Sequence, residues 1–265
     1  MREADVLRAF SFGGGVQSTA ALVLAARGEI DYPLFIFANV GADSENPLTL
    51  AYVENIAKPY AATHGVELLE LSKADTLMQR IARSKTSIPI PVRMSGSGAI
   101  GTRQCTQRFK IAVVAAELKR RGVSTARPAT LGLGISLDEF SRMRTTAPVP
   151  YERLVYPLID RRMDRQDCLN VIQREGLPVP PKSSCYFCPF HSAAQWRTLR
   201  REQPDLFAKS VDLERTLNAR RTALGRDPVW LSASLRPLDE TFREDGQLSL
   251  FDEEASCDVA GYCHV

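Results

Sequence analysis

The chain has 265 residues, 44% of them hydrophobic and 25% charged, which suits one large α/β domain with an appendage. A net charge of +3 is too small for whole-molecule attraction to nucleic acid, and no apolar run reaches the length of a membrane span, so no membrane partner is expected. The first residues lack the apolar stretch and small-residue cleavage site of a signal peptide, and a cytoplasmic location is expected.

In chain order, residues 6–11 read as a buried strand, and a glycine run and an alanine-rich helix over 17–27 follow. Residues 34–39 form a second buried strand, 47–64 a long helix and 66–71 a third strand. The order β-α-β-α-β predicts a parallel sheet with right-handed crossovers and helices on both faces. Residues 84–101, rich in Pro, Ser and Gly, read as a mobile loop over the site. A helix over 104–122, a strand over 129–134, a strand over 153–159 and a helix over 164–175 come next. Residues 192–224 read as two helices divided at Pro204, and the acidic, cysteine-bearing end as an extended tail. The expected fold is a doubly wound parallel α/β sheet over residues 1–181, with a helical, cysteine-bearing C-terminal extension over 182–265.

Phe10 to Thr19 (FSFGGGVQST) joins strand to helix. Glycines let the backbone approach a phosphate without a Cβ clash, and the helix start adds free N–H groups and the positive dipole end. Ser11, Phe12, Gly13, Gly14, Gly15, Gln17 and Ser18 are therefore candidate nucleotide-binding positions. The Gly-Lys-Ser/Thr ending of a Walker loop is absent, and the dinucleotide fingerprint would need glycine at Ser18. The competing reading is a tight glycine turn with no ligand. Arginine outnumbers lysine 27 to 7, which reflects either genome composition or recognition of phosphate and carboxylate.

The segment resembles the PP-loop of adenine-nucleotide α-hydrolases, roughly Ser-x-Gly-Gly-x-Asp-Ser. Within them it looks most like the branch of phosphoadenylyl-sulfate (PAPS) reductases and related sulfur-transfer proteins. It departs at Gly13, where serine is usual, and at Gln17, where aspartate or glutamate is frequent. The resemblance implies binding of ATP or an adenylyl nucleotide, with Mg2+ neutralising the phosphates. Residues 39–47 (NVGADSENP) are similar to the family's Asp/Asn-Thr-Gly…Pro-Glu-Thr segment, making Asn39 a candidate adenine or ribose contact, or else part of a simple turn. Residues 132–142 (GLGISLDEFSR) are similar to Gly-x-Arg-x-x-Glu-Ser…Arg. This marks Gly134 as a nucleotide contact and leaves Ser136 where arginine is usual. Arg142 or Arg144 then supplies the phosphate contact, and Glu139 orients a ligand hydroxyl or a basic residue. A solvated loop is the alternative for this segment.

The strongest local signal is Cys185-Tyr-Phe-Cys188-Pro, which puts two thiolates on one tight turn. Cys105 and Cys168 are the candidate partners, and a disulfide scaffold does not suit a chain of this kind. Four readings stand open: a [4Fe–4S] cluster on Cys105, Cys185 and Cys188 with Cys168 or an exogenous fourth ligand, a structural zinc on the same thiolates, a redox disulfide between Cys185 and Cys188, or inert buried thiols. The family comparison favours iron–sulfur. His191 is a ligand or a cap for the following helix. Residues 103–110 (RQCTQRFK) resemble the family's cysteine-bearing helix start with its following lysine, Lys110, and with Arg103, Arg108 and Lys182 they outline an electropositive pocket. Cys263, beside His264, resembles the nucleophilic tail cysteine of PAPS reductases, while Cys257 is an additional thiol. The arginines at 197, 200, 201, 215, 220 and 221 read as a solvated, ion-paired helix face or as a nucleic-acid contact.

Three functions compete. The first is an ATP pyrophosphatase-type sulfurtransferase that adenylylates an acceptor (a nucleobase in RNA, a DNA backbone or a small molecule) and delivers sulfur from a donor such as a cysteine desulfurase. The second is a PAPS reductase-like oxidoreductase in which Cys263 attacks sulfur and a thioredoxin-like partner restores the thiol. The third is a non-catalytic nucleotide- or nucleic-acid-binding module with structural zinc.

Overall fold

The structure is a computed structural model that describes residues 6–243. Cys257, Cys263 and His264 lie outside the described residues. The described residues form two compact units: one holds those up to Ala74 with Thr106–Ser184, the other Asp75–Cys105 with those from Cys185 to residue 243.

The first unit begins with β1 (Arg8–Phe12), α1 (Val16–Ala26) and β2 (Leu34–Asn39). One continuous helical stretch follows, made of α2 (Pro47–Tyr52), a π-helical turn Val53–Ala57 and α3 (Lys58–Thr63), and it leads to β3 (Glu67–Ser72). Asn46 starts that stretch by accepting the Leu48 amide at 2.9 Å, with Pro47 in the first turn where its missing N–H is harmless. The chain then passes through the second unit, in α4 (Leu77–Arg83) and β4 (Arg93–Met94), before returning. The returning part holds a π-helical turn Thr106–Ile111, α5 (Ala112–Arg120), β5 (Ala129–Leu133), a 3-10 segment Leu137–Arg142, β6 (Glu152–Val155), α6 (Pro157–Asp160) and α7 (Arg165–Arg174). The expected strand over 153–159 stops at Val155, because Pro157 opens a short helix instead.

The sheet is five-stranded and parallel, in the order β3-β2-β1-β5-β6. One face is covered by α1 and α7 over Phe10, Phe12, Phe35 and Phe37. The other is covered by α5 over Ala9, Leu34, Ile36, Leu131 and Leu133. Burial on both faces is why these strands read as unbroken apolar runs rather than alternating ones. Phe10 stacks on Phe35 with ring centroids 4.9 Å apart. Gly132 makes room for that pair, since a Cβ there would stand 2.5 Å from Phe10 Cδ2. The expected doubly wound α/β fold is present, and successive connections leave β1 in opposite directions, placing the topological switch between β1 and β5.

The second unit adds α8 (Ala193–Glu202), α9 (Pro204–Ala223), β7 (Val229–Trp230) and α10 (Leu238–Thr241) to α4 and β4. The break between α8 and α9 falls at Pro204 as expected. Residues 84–101 do not stand off as a mobile loop: β4 pairs antiparallel with β7, and Trp230 Nε1 donates to Ser95 Oγ at 2.7 Å. Arg220 and Arg226 donate to the carbonyls of Ile81 and Thr86 at 2.9 and 2.8 Å, which binds Asp75–Cys105 to the C-terminal helices. Glu214, 3% exposed, accepts the amides of Leu231 and Leu238 at 2.8 and 2.9 Å and fixes the course of the chain after α9. Arg215 pairs with Asp239 at 2.5 Å and Arg201 with Glu202 at 2.7 Å, while Arg200 donates to the Phe242 carbonyl. These arginines serve packing and surface pairing.

Candidate functional site

The glycine loop lies at the C-terminal end of β1, on the switch side of the sheet. Gly14 sits at φ +76°, and a Cβ there would meet Thr49 Cγ2 at 3.0 Å. A side chain is excluded both by the left-handed conformation and by the helical stretch behind the loop. Gly15 is the N-cap of α1, and Ser18 Oγ turns back to bond both its amide, at 3.2 Å, and its carbonyl, at 3.1 Å. The first intrahelical bond runs from the Thr19 amide to the Gly15 carbonyl at 3.0 Å. The amides of Val16, Gln17 and Ser18 precede that bond and point out of the helix start, with no acidic residue in the first turn to oppose an anion. Phe12 and Ser11 are buried in β1, so they can reach a ligand only through their backbone.

The segment after β5 faces the same loop. Gly134 is required by close approach: a Cβ would stand 3.2 Å from the Ser18 amide nitrogen. Gln17, 9% exposed, uses its amide to tie the two segments together. Its Nε2 donates to Ser136 Oγ at 3.3 Å and to Glu139 Oε2 at 3.2 Å, while its Oε1 accepts from Arg165 Nη1 at 3.4 Å. Glu139 Oε1 in turn holds Arg142 Nη1 at 2.5 Å. Arg142 is 3% exposed. Glu139 thus orients a basic residue, and the position where the PP-loop pattern has a carboxylate is held by an amide because a carboxylate would face Glu139. The sequence offered Gln17 as a candidate nucleotide contact and both Gln17 and Ser136 as departures from a pattern, without showing that they touch each other.

Asn39 ends β2 as expected, but both ends of its side-chain amide are engaged. Its Nδ2 donates to Glu70 at 2.7 Å and its Oδ1 accepts the Gly41 amide at 2.8 Å. Glu70 also pairs with Lys58 at 2.6 Å. Asn39 therefore builds the turn that leads the chain to Glu45 and Asn46. Lys110 lies on the π-helical turn Thr106–Ile111, which packs against β2. Next to it, Lys73 stands 5.8 Å above the Phe109 ring. The Ser183 hydroxyl donates to the Gly13 carbonyl, and the Asn46 amide donates to the Ser184 carbonyl at 3.2 Å. The two residues just ahead of Cys185 are thereby fastened to the glycine loop and to the start of α2.

The second unit holds Cys105, Cys185 and Cys188, all thiols and all half-buried. The Cys188 amide donates to the Cys185 carbonyl at 3.1 Å, which makes the expected tight turn. Two residues from Cys105, the Arg103 guanidinium lies 4.9 Å over the ring of Phe190, two residues beyond Cys188. Tyr186, Phe187 and Phe190 are buried around the turn. Among the described residues, no group of three or more His, Cys, Asp or Glu side chains stands arranged to hold a metal ion. Cys168 lies elsewhere, in the core of the first unit between α1 and α7 and on the same helix face as Ile172. Burial, reinforced by Asp138, Asp167 and Asp164, pushes its thiol up to about 12. In that environment it packs in the core of the first unit. His191 does not cap α8: Ser192 does, accepting the Gln195 amide at 3.3 Å, and the His191 ring stacks edge-on with Trp196 at 4.7 Å.

The chain is an α/β protein with a parallel doubly wound sheet, and its glycine loop and the start of α1 lie at the topological switch point, where open α/β sheets place their ligands. No family model matches the chain, and no curated protein matches it in sequence. Among solved structures it is similar to the U34-tRNA thiolase NcsA from Methanococcus maripaludis with its [4Fe-4S] cluster, at 12% identity and a TM-score of 0.49, over 92% of this chain and 83% of that one. It is also similar to a phosphoadenylyl-sulfate reductase from Candida auris in a phosphate complex, at 12% identity and a TM-score of 0.44, over 66% and 75% of the two chains.

Proposed function

We propose that this chain is a PP-loop-type enzyme that binds ATP at the glycine loop, adenylylates an acceptor oxygen with release of pyrophosphate, and replaces the adenylylated oxygen by sulfur, AMP leaving with that oxygen. One observation carries the reading: the first-turn amides of α1 open at the sheet's switch point behind a loop where Gly14 and Gly134 exclude side chains. Those amides and the dipole of α1 suit the phosphate oxygens. The Arg142 and Arg165 guanidinium groups, tied to Gln17 directly or through Glu139, add positive charge beside the helix start. Mg2+ would offset the remaining phosphate charge. The nucleotide half of the reading rests on this geometry alone.

For the sulfur half, Cys105, Cys185 and Cys188 are the residues that would hold a [4Fe–4S] cluster, with zinc as the alternative. Their soft thiolate chemistry fits either, and their buried aromatic neighbours would shield the site from water. When bound, a cluster with an open iron would supply a site for sulfur, whereas zinc would only brace the turn. A cysteine desulfurase is the matching class of sulfur donor, and a nucleobase in RNA, a DNA backbone or a small molecule the class of acceptor.

The test is purification without oxygen, followed by assays of iron, acid-labile sulfide and zinc in the wild type, Cys105→Ala and Cys185→Ala, with ATP binding measured on the same samples. Matched iron and sulfide, lost in both variants while ATP binding persists, is the expected result. Zinc without sulfide would sink the sulfur half, and absence of ATP binding would sink the nucleotide half.

A further inference from the structure

Arg165 is the first residue of α7, and it is held at two points. Its backbone amide donates to Asp138 Oδ1 at 3.0 Å, and its Nη1 donates to Gln17 Oε1 at 3.4 Å. Gln17 is the second residue of α1, so the guanidinium lies against the helix start that follows the glycine loop. The carboxylates at the start of α7 are engaged with backbone amides instead of with this cation. Asp138 takes the Arg165 amide, Asp164 Oδ1 accepts the Asp167 amide at 2.8 Å, and Asp167 Oδ2 accepts the Asp164 amide at 3.1 Å. Among the described residues the Arg165 guanidinium makes no ion pair.

Arg142, the other cation of this network, is placed differently. Glu139 holds its Nη1 at 2.5 Å and the residue is 3% exposed, so its charge is neutralised inside the protein. Arg165 is exposed, and its side-chain partner is a neutral amide, which orients a guanidinium without cancelling its charge. A cation in the first turn also stands at the positive end of α7, where the helix dipole disfavours it and favours an anion. The stability of α7 alone therefore gives no reason for arginine at this position.

We infer that Arg165 is the residue that meets ligand phosphate at the candidate nucleotide site, while Arg142 stays a buried partner of Glu139. The inference rests on the nucleotide-binding reading above. It moves the phosphate contact expected of Arg142 or Arg144 to the start of α7. It also gives the Gln17 side chain a role, since a carboxylate at that position would pair with Arg165 and cancel the charge that a phosphate needs.

The experiment is calorimetric titration of the full chain with MgATP, on the wild type, Arg165→Gln, Arg165→Lys and Arg174→Gln, each with its melting temperature. Arg174 is exposed at the opposite end of α7, so its substitution removes the same charge away from the loop. Arg165→Gln is expected to weaken MgATP by roughly 10- to 100-fold with the melting temperature unchanged, while Arg174→Gln binds as the wild type does. Arg165→Lys, which keeps a cation without the planar fork, should recover most of the loss. Unchanged affinity in Arg165→Gln, an equal loss in Arg174→Gln, or a lysine variant as weak as the glutamine one overturns the assignment. A wild type that binds no MgATP removes the nucleotide reading and the assignment with it, a result distinct from a loss confined to Arg165→Gln. Arg165→Met carries the same comparison should the Gln variant fail to fold.

Discussion

The Ser183 hydroxyl donates a hydrogen bond to the carbonyl of Gly13. Ser183 is 2% exposed and lies two residues ahead of the first cysteine of the C-x-x-C turn. Through it, the chain that leads to the thiols is built into the wall of the glycine loop. Ser183→Ala should leave the Gly13 carbonyl without this partner, at a cost of about 1–2 kcal/mol. It should also weaken ATP binding, because the loop loses its support. Urea unfolding and an ATP titration check the two effects together, and a variant unchanged in both would show that the contact is incidental.

Gly132 and Gly14 are demanded by space. A Cβ at Gly132 would stand 2.5 Å from Phe10 Cδ2 and 3.0 Å from Tyr32 Cε1, so Gly132→Ala should cost roughly 1–3 kcal/mol or more by overpacking. Gly28, also at a positive φ but in open space, is the control: Gly28→Ala should lose only the left-handed backbone preference, about 1–2 kcal/mol. Thermal melts of the two variants check the order, and an equal effect would mean that the Phe10 contact relaxes freely.

Gln17 is surrounded so that only an amide satisfies it. Gln17→Glu sets a carboxylate against Glu139 Oε2, where Nε2 now donates at 3.2 Å, and should destabilise by about 1 kcal/mol. Combining it with Glu139→Gln should recover part of the loss, since the donor and acceptor exchange places. Glu139→Ala is the harsher change, because it strands the buried Arg142 guanidinium and should cost about 3–5 kcal/mol. Denaturant midpoints of the single and double variants check the coupling.

Cys168 packs on the face of α7 that meets α1. Cys168→Ala should leave iron, sulfide and zinc content at the wild-type level and lower stability by about 1 kcal/mol. Loss of metal in this variant, with the fold intact, would restore Cys168 to the ligand set.

Glu152 gives a pH dependence of fixed sign. It lies at the start of β6 against a small apolar cavity lined by Ile111, Val114, Leu131 and Leu133, and burial raises its carboxyl to about 7. Because the folded-state value lies above the unfolded one, the folded chain holds the proton more tightly. The stabilisation is complete below the unfolded value near 4.3, declines as pH rises, and is gone above about 7. Glu152→Gln should therefore flatten the pH profile and gain roughly 2–3 kcal/mol relative to wild type at pH 8. Glu214 titrates over the same window, since burial raises it to about 7 as well, so the profile of Glu152→Gln keeps a residual slope from that group. Urea unfolding at pH 5 and pH 8 decides it: an unchanged pH profile would show that water reaches Glu152.

The sequence by itself determined the features carried by local chemistry. Unbroken apolar strands between helices of a fixed length admit little besides a parallel sheet covered on both faces. Three glycines between β1 and α1 define a sharp turn, Cys185 and Cys188 at a spacing of three share one turn, and Pro204 divides two helices. Tertiary structure alone decided the features that depend on distant neighbours. Gln17 reaches Ser136 across 119 residues and Arg165 across 148, so no window of sequence contains their bond. Cys168 reads as a ligand beside a C-x-x-C motif, but the face it shares with Ile172 turns it into the core. Residues 84–101 read as a mobile loop over the site, yet the Thr86 carbonyl accepts from Arg226 and β4 pairs with β7. Glu45 reads only as one residue of the family-like segment 39–47, and folding alone shows that it is buried. Periodicity tells which face of an element is apolar; which partner covers that face, and which polar group is enclosed with it, is settled when the chain closes.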